Sequence, residues 1–179
     1  MALPSTMHGV TLDISDIDRG VYASADLRVA RHPSETLDFL VTRLIAYCLA
    51  YHEDLAFGRG VSTADEPTAW VKDPTGRILL WLDVGAPSPE RIHKAAKKAE
   101  QVLIVTHKDP DTVAGALQAA GVHRGAEIEV IGVPTPLVDA LAETVDRRNQ
   151  WAVVHTEGVL YVTVDGVTHE AALVHRRAG

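Results

Sequence analysis

Residues 78–85 read ILLWLDVG. Six of these side chains are large and apolar, yet a carboxylate, Asp83, stands two places before the end. An ionised carboxylate in an apolar setting is costly unless something pairs with it, so Asp83 needs a structural partner or a chemical task. Alternation places Leu79, Trp81 and Asp83 on one face, with Ile78, Leu80, Leu82 and Val84 on the other. Both faces are apolar, which marks an inner strand covered on two sides. Asp83 therefore falls at the end of a central strand, where α/β folds assemble their sites. The structural alternative is an aspartate that caps the following turn or helix.

Working outward, TAWV (68–71) and the turn DPTG (73–76) precede this strand and predict an antiparallel hairpin. In such a pairing the start of the first strand lies opposite the end of the second, which brings Asp65 or Glu66 beside Asp83. Adjacent carboxylates repel unless a cation neutralises them. A hard, oxygen-liganded ion such as Mg²⁺ meets that need, and a solvated turn is the plain alternative for Asp65 and Glu66. Downstream, APSPERIHKAAKKAEQ (86–101) reads as a helix begun near Ser88 and Pro89, with Ile92, Ala95, Ala96 and Ala99 as its buried face. Lys97 and Lys98 suit the negative end of the helix dipole. Arg91 and Lys94 lie near the positive end, where cations are disfavoured, so they call for an anionic partner, either protein carboxylate or phosphate.

Further out, residues 10–31 predict a β-hairpin bent at Gly20. The stretch 32–54 predicts a helix with Pro33 at its first position and Glu35 in its first turn. Leu37, Leu40, Val41, Leu44, Ile45 and Cys48 form one apolar stripe along it. Its other side carries Glu35, Phe39, Thr42, Ala46 and Ala50, with Arg43 at the edge, which is too apolar for a solvent face. The expectation is a helix covered on both sides with Glu35 near protein, a surface glutamate that satisfies the dipole being the plain alternative, followed by a loop at Gly58 and Gly60. From 102 to 145, VLIVTH, DPDTVAGALQAAG, IEVIGVP and PLVDALAETV alternate strand and helix, predicting at least two parallel neighbours. The tail, 151–176, reads as a β-meander with turns at Glu157–Gly158 and Asp165–Gly166. The whole predicts one mixed α/β domain over 1–179: a central mixed sheet flanked by helices, with hairpins at both ends.

Composition bounds the function. Among 179 residues, 46% are apolar and 23% charged, ordinary for a soluble globular chain. Seventeen Lys and Arg against 24 Asp and Glu give a net charge of −7, which argues against a broad sequence-independent nucleic-acid surface but leaves room for a local basic patch. The single cysteine, Cys48, cannot form an internal disulfide, and the opening MALPSTMHGV lacks a signal-peptide pattern, so a cytoplasmic location is expected. No stretch approaches the ~20 apolar residues of a membrane span. The nine histidines show no HExxH, and there is no CxxC, GxSxG or Walker loop. His107, His123, His155, His169 and His175 read as scattered surface or packing residues.

ARHPSET (30–36), DEP (65–67) with Trp70, LWLDVGAP (80–87) and RIHKA (91–95) together resemble the YaeQ family of bacterial proteins, along nearly the whole chain. That family is similar to the PD-(D/E)XK nuclease superfamily, with a restriction-endonuclease-like mixed sheet and an acidic metal site on a central hairpin. The resemblance implies that Asp83 is the acidic member of the (D/E)XK pair. Asp65, or else Glu66, looks like the first aspartate, and Glu35 resembles the helix glutamate many members use. It further implies that Asp65, Asp83 and the Val84 carbonyl hold Mg²⁺, or Mn²⁺, for attack of a bound water on a phosphodiester of DNA or RNA. The expected lysine, two residues after Asp83, is replaced by Gly85. Some superfamily members carry that basic group on the following helix, which makes Lys94 the natural substitute and Arg91 the second choice.

Three functional readings follow. A Mg²⁺-dependent nuclease accounts for Asp83, the nearby acids and the basic helix with one site. A non-catalytic nucleic-acid- or protein-binding module on a decayed nuclease scaffold accounts for Gly85 and the acidic net charge. A small-molecule α/β enzyme rests only on the alternation over 102–133.

Overall fold

Alternating burial along β1 (Thr6–Asp16) pairs it with β2 (Val21–Arg31) in an antiparallel hairpin, from Thr6 opposite Arg31 to Asp16 opposite Val21. The bend uses Gly20 at φ 68°, a conformation few residues but glycine adopt readily. The computed structural model describes residues 3–59 and 63–179. Met1, Ala2 and Gly60, the last a member of the expected loop, lie outside them.

The next helix, α1 (Leu37–Leu49), begins later than its sequence suggests. Thr36 is its N-cap, and its hydroxyl accepts the Phe39 amide at 3.1 Å. Pro33 is therefore not the first helical residue, and Glu35 precedes the helix instead of sitting in its first turn. A threonine oxygen satisfies an orphan amide, which a proline cannot do. Both sides of α1 are covered as expected, since Thr42 and Ala46 are as deeply buried as Leu44 and Ile45.

The remaining elements are β3 (Ala56–Phe57), β4 (Ala69–Lys72), β5 (Ile78–Val84), α2 (Pro89–Lys98), β6 (Ala99–Thr106), α3 (Pro110–Ala119), β7 (Glu129–Gly132), α4 (Thr135–Ala142), β8 (Arg148–Thr156), β9 (Val159–Val164), β10 (Val167–Ala172) and β11 (Val174–Arg177). Ala99, read as helical, opens β6 instead. A six-stranded sheet runs β11-β7-β6-β5-β4-β3, with β5, β6 and β7 mutually parallel. A five-stranded sheet runs β10-β9-β8-β1-β2. The two terminal hairpin regions are thus joined: β8 lies parallel to β1, from Gly9 opposite Arg148 to Asp16 opposite His155. The expected meander breaks at its last strand, because β11 crosses to pair with β7.

Two apolar cores result. In one, Leu12, Ile14, Trp151 and Leu160 of the five-stranded sheet meet α1, α4 and the Leu82, Val105 and Ile131 face of the six-stranded sheet. In the other, Trp81, Ile104 and Val130 pack under Ile92 and Ala95 of α2 and Leu117 of α3. A bulge corrects the predicted alternation of β5. Leu80 stands opposite Val71 and Ile78 opposite Lys72, so Leu79 is the extra residue and packs on the first core beside Leu80. Cys48 is sealed in that core, where burial pushes its thiol pKa up and disfavours the thiolate.

Candidate functional site

The 73–76 turn sets the position of Asp83. Asp73 Oδ1 accepts the amides of Thr75 and Arg77, fixing the β4–β5 hairpin in the register Ala69 opposite Leu82. Thr68 is therefore next to Asp83, and its amide donates to Oδ1 at 3.2 Å. Alternation brings Trp81 to the same side, and its indole Nε1 donates to Oδ2 at 3.0 Å. Ser88 caps α2 by accepting the Arg91 amide, which sets Arg91 in the first turn facing the strand end. Arg91 then forks onto the carboxylate, with Nε 2.8 Å from Oδ2 and Nη2 3.0 Å from Oδ1. Four donors thus meet a group with about four lone-pair sites. Asp83 is 2% exposed.

The same guanidinium also organises the DEP segment. Nη1 donates to the Ala64 carbonyl at 2.5 Å and Nη2 to the Glu66 carbonyl at 2.6 Å. The hydrogen bonds to Asp83 raise the Arg91 pKa above its ordinary value. The unfavourable place of this cation near a helix start is explained by a protein carboxylate, one of the two partners expected.

Each remaining buried or half-buried acid here also has its own arginine. Glu66 takes the Arg59 amide at 2.8 Å and the Arg59 Nε at 2.9 Å, and the amide chiefly holds its carboxyl below the usual range. The Glu35 side chain is 2% exposed, with Arg43 Nε 2.9 Å from Oε1, although the pair is not aligned as a hydrogen bond. Burial pushes the Glu35 carboxyl up, and Arg43 opposes that shift.

A cavity of about 330 Å³ lies at this strand end, lined by Arg43, Glu66, Thr68, Asp83, Val84 and Arg91 among others. Phe39 and Ala86 also line an adjoining cavity of about 310 Å³, with Glu35, Gly85, His107 and Lys108. Of the residues expected at the site, Asp83, Glu66, Val84 and Arg91 share the first cavity, and Glu35 borders the second. Asp65 is exposed on the preceding turn. Lys94 points elsewhere: it is exposed and pairs with Glu90 at 3.0 Å, because i and i+4 neighbours meet on a helix surface.

These pairings do not form the expected Mg²⁺ cage. The oxygens of Asp83 and Glu66 already accept hydrogen bonds, and among the described residues no three His, Cys, Asp or Glu side chains are grouped to hold a metal ion. Gly85 explains the absent strand lysine. Its φ is 87°, and a Cβ there would stand 3.2 Å from Phe39 Cε2. No motif marks Thr68 and Trp81 as partners of Asp83; hairpin register and strand alternation carry that signal. Nothing local to Glu66 announces its pairing with Arg59.

Over residues 1–173 the chain matches the family model described as YaeQ protein. The chain belongs to the YaeQ family. It is 39% identical over 107 residues to "Uncharacterized protein YaeQ" of Escherichia coli K12, a stretch covering 60% of this chain and 59% of that protein. The namesake from Salmonella typhi is 38% identical over 107 residues with the same coverage. The aligned stretch therefore spans less than two thirds of these curated relatives. Solved structures carry the family likeness over nearly the whole chain. The YaeQ protein from Pseudomonas syringae superposes with a TM-score of 0.89 at 35% identity, covering 97% of each chain. That from Xanthomonas axonopodis pv. citri gives 0.89 at 32%, covering 98% of this chain and 99% of the other.

Proposed function

We propose that this chain is a non-catalytic binding module on a nuclease-like scaffold, taking a phosphodiester strand of DNA or RNA across the two strand-end cavities. The observation that carries the reading is the Arg91 fork on Asp83, which engages the carboxylate that a metal-dependent nuclease would need free. The PD-(D/E)XK-like motif order supports the nuclease-like ancestry, and Gly85 in place of lysine supports the loss of turnover. The cavities supply Lys108 and the start of α1, whose dipole favours an anion, while Arg43 and Arg91 are already paired with Glu35 and Asp83. The acidic net charge fits a local contact of a few phosphates better than a long track.

Fluorescence anisotropy with labelled single-stranded DNA and RNA, in Mg²⁺ and in EDTA, tests the reading. Binding should need no Mg²⁺, fall with salt, weaken in Lys108→Glu and leave the oligonucleotide intact. Mg²⁺-dependent cleavage that disappears in Asp83→Asn would replace this reading with the hydrolase one. Absence of binding to either polymer would overturn both.

A further inference from the structure

A further cavity, of about 690 Å³, shares no lining residue with the two around Asp83. It lies on the first-core side of the six-stranded sheet, toward the start of β5. Its floor is apolar: Leu79, Leu80, Leu103 and Ile131, with Leu49 from the end of α1. The β5 bulge turns Leu79 and Leu80 to the same side and so widens this floor, and bulges recur beside sites for that reason. A cleft of this size with an apolar floor and a few convergent polar groups is the usual form of a small-molecule site.

The polar wall comes from the five-stranded sheet and is held rigidly. Arg19, in the β1–β2 turn, donates to the carbonyls of Leu49 and Tyr51, tying that turn over the end of α1. Asp18 accepts the amides of Glu157 at 2.7 Å and Gly158 at 2.9 Å. His155, 9% exposed, has Nδ1 3.0 Å from Asp16 Oδ1. A carboxylate only accepts, so the proton is assigned to Nδ1. The other ring nitrogen, Nε2, lies 3.4 Å from Asp18 Oδ2 and has no hydrogen-bond partner among the described residues. In the neutral imidazole, Nε2 is thus an acceptor with no donor, and beside it Asp18 Oδ2 accepts only the Gly158 amide and keeps a lone pair free. His175 repeats the pattern on the facing wall, with Nδ1 2.8 Å from Glu129 Oε1.

The cations at the rim are engaged elsewhere. Arg19 is bound to the α1 carbonyls and Arg177 Nη1 donates to the Glu127 carbonyl. The recess thus presents acceptors and negative charge above an apolar floor. We infer that this cleft binds a small amphipathic amine: its ammonium donates to Asp18 Oδ2, the accessible member of the Asp18–His155 pair, and its apolar body lies on Leu79, Leu80, Leu103 and Ile131.

Calorimetric titration and amide chemical-shift mapping on the full chain test this with three probes of similar shape: 2-phenylethylammonium, 2-phenylethanol and 3-phenylpropionate. The ammonium should bind saturably and shift the amides of Leu80, Leu103 and His155. Losing a charge-assisted hydrogen bond makes the alcohol roughly tenfold weaker, and the carboxylate should not saturate. Asp18→Asn should weaken the ammonium by about tenfold and leave the alcohol unchanged. Because Asp18 also anchors the Glu157–Gly158 turn, Glu129→Gln on the facing wall provides a second arm with the same direction. Equal affinity for all three probes, no saturable binding, or ammonium affinity unchanged in both variants would overturn the assignment.

Discussion

Arg91 and Asp83 form a two-pronged ion pair at the end of a central strand, and the same guanidinium holds the carbonyls of Ala64 and Glu66. One side chain therefore neutralises a buried acid and shapes the wall of the cavity beside it. Removing one partner of a buried pair costs ~3–5 kcal/mol. Arg91 is 27% exposed on its side chain, which places Arg91→Ala at the lower end, about 3 kcal/mol. Urea unfolding measures this, and limited proteolysis should show faster cutting in the segment 63–67. Arg91→Lys should recover only part of the loss, because an ammonium cannot reproduce the fork. A loss in Arg91→Ala under about 1 kcal/mol, the range of a surface pair, would remove the organising role.

Gly85 adopts a positive φ beside Phe39, so side chains there are disfavoured twice. Left-handed backbone costs an L-residue about 1–2 kcal/mol, and Gly85→Ala should lose at least that. Gly85→Lys, which writes the missing lysine back into the strand end, should be no more stable than Gly85→Ala and should gain no cleavage activity. Thermal melts and a nuclease assay of both variants check the pair. A Gly85→Lys protein as stable as the natural chain would show that the strand end can host a lysine.

His107 sits in the second cavity, where burial first and Lys108 next hold its pKa below the ordinary 6.5. The folded chain then binds this proton less tightly than the unfolded chain. The associated stability is fully present above pH 6.5 and is lost as pH falls through the depressed folded value. His107→Gln should flatten the stability curve just below that pH. Denaturant midpoints taken either side of it for both proteins give the slope, and identical slopes would refute the assignment.

Ser88 bonds the Arg91 amide and so fixes the turn that aims Arg91 at Asp83. Ser88→Ala should cost ~1 kcal/mol as a lost N-cap. Ser88→Asp should retain most of the stability, since aspartate caps equally well and complements the dipole. Chemical denaturation of the two variants separates capping from a general intolerance at this position.

Local chemistry made much of this structure legible in the sequence. DPTG gave the β4–β5 hairpin, Ser88–Pro89 the start of α2, and the Glu157–Gly158 and Asp165–Gly166 turns the terminal hairpins, because each depends on a few adjacent residues. The demand that Asp83 be paired was also readable, since its apolar setting leaves few alternatives. Its partner was less so. Arg91 reads as a misplaced cation, but linking it to Asp83 across residues 85–88 requires the β5–α2 geometry. Glu35 was misplaced because Pro33 and Thr36 compete to start α1, and the hydroxyl wins. The joining of β8 to β1 and the crossing of β11 to β7 left no local trace, because side-chain period tells which face a strand buries and not which strand it borders.

The edge of β1 that meets β8 has a consequence for synthesis. Asp16 and His155 stand together although 139 positions separate them, so a chain leaving the ribosome exposes that edge long before its neighbour exists. At ~5–20 residues per second the delay is on the order of ten seconds. A two-stranded ribbon is marginally stable in water, so over that interval the β1–β2 pair is an unclosed template for other strands. Closure of the five-stranded sheet is therefore a late event in the birth of this molecule, and the interval before it is when chaperone contact matters most.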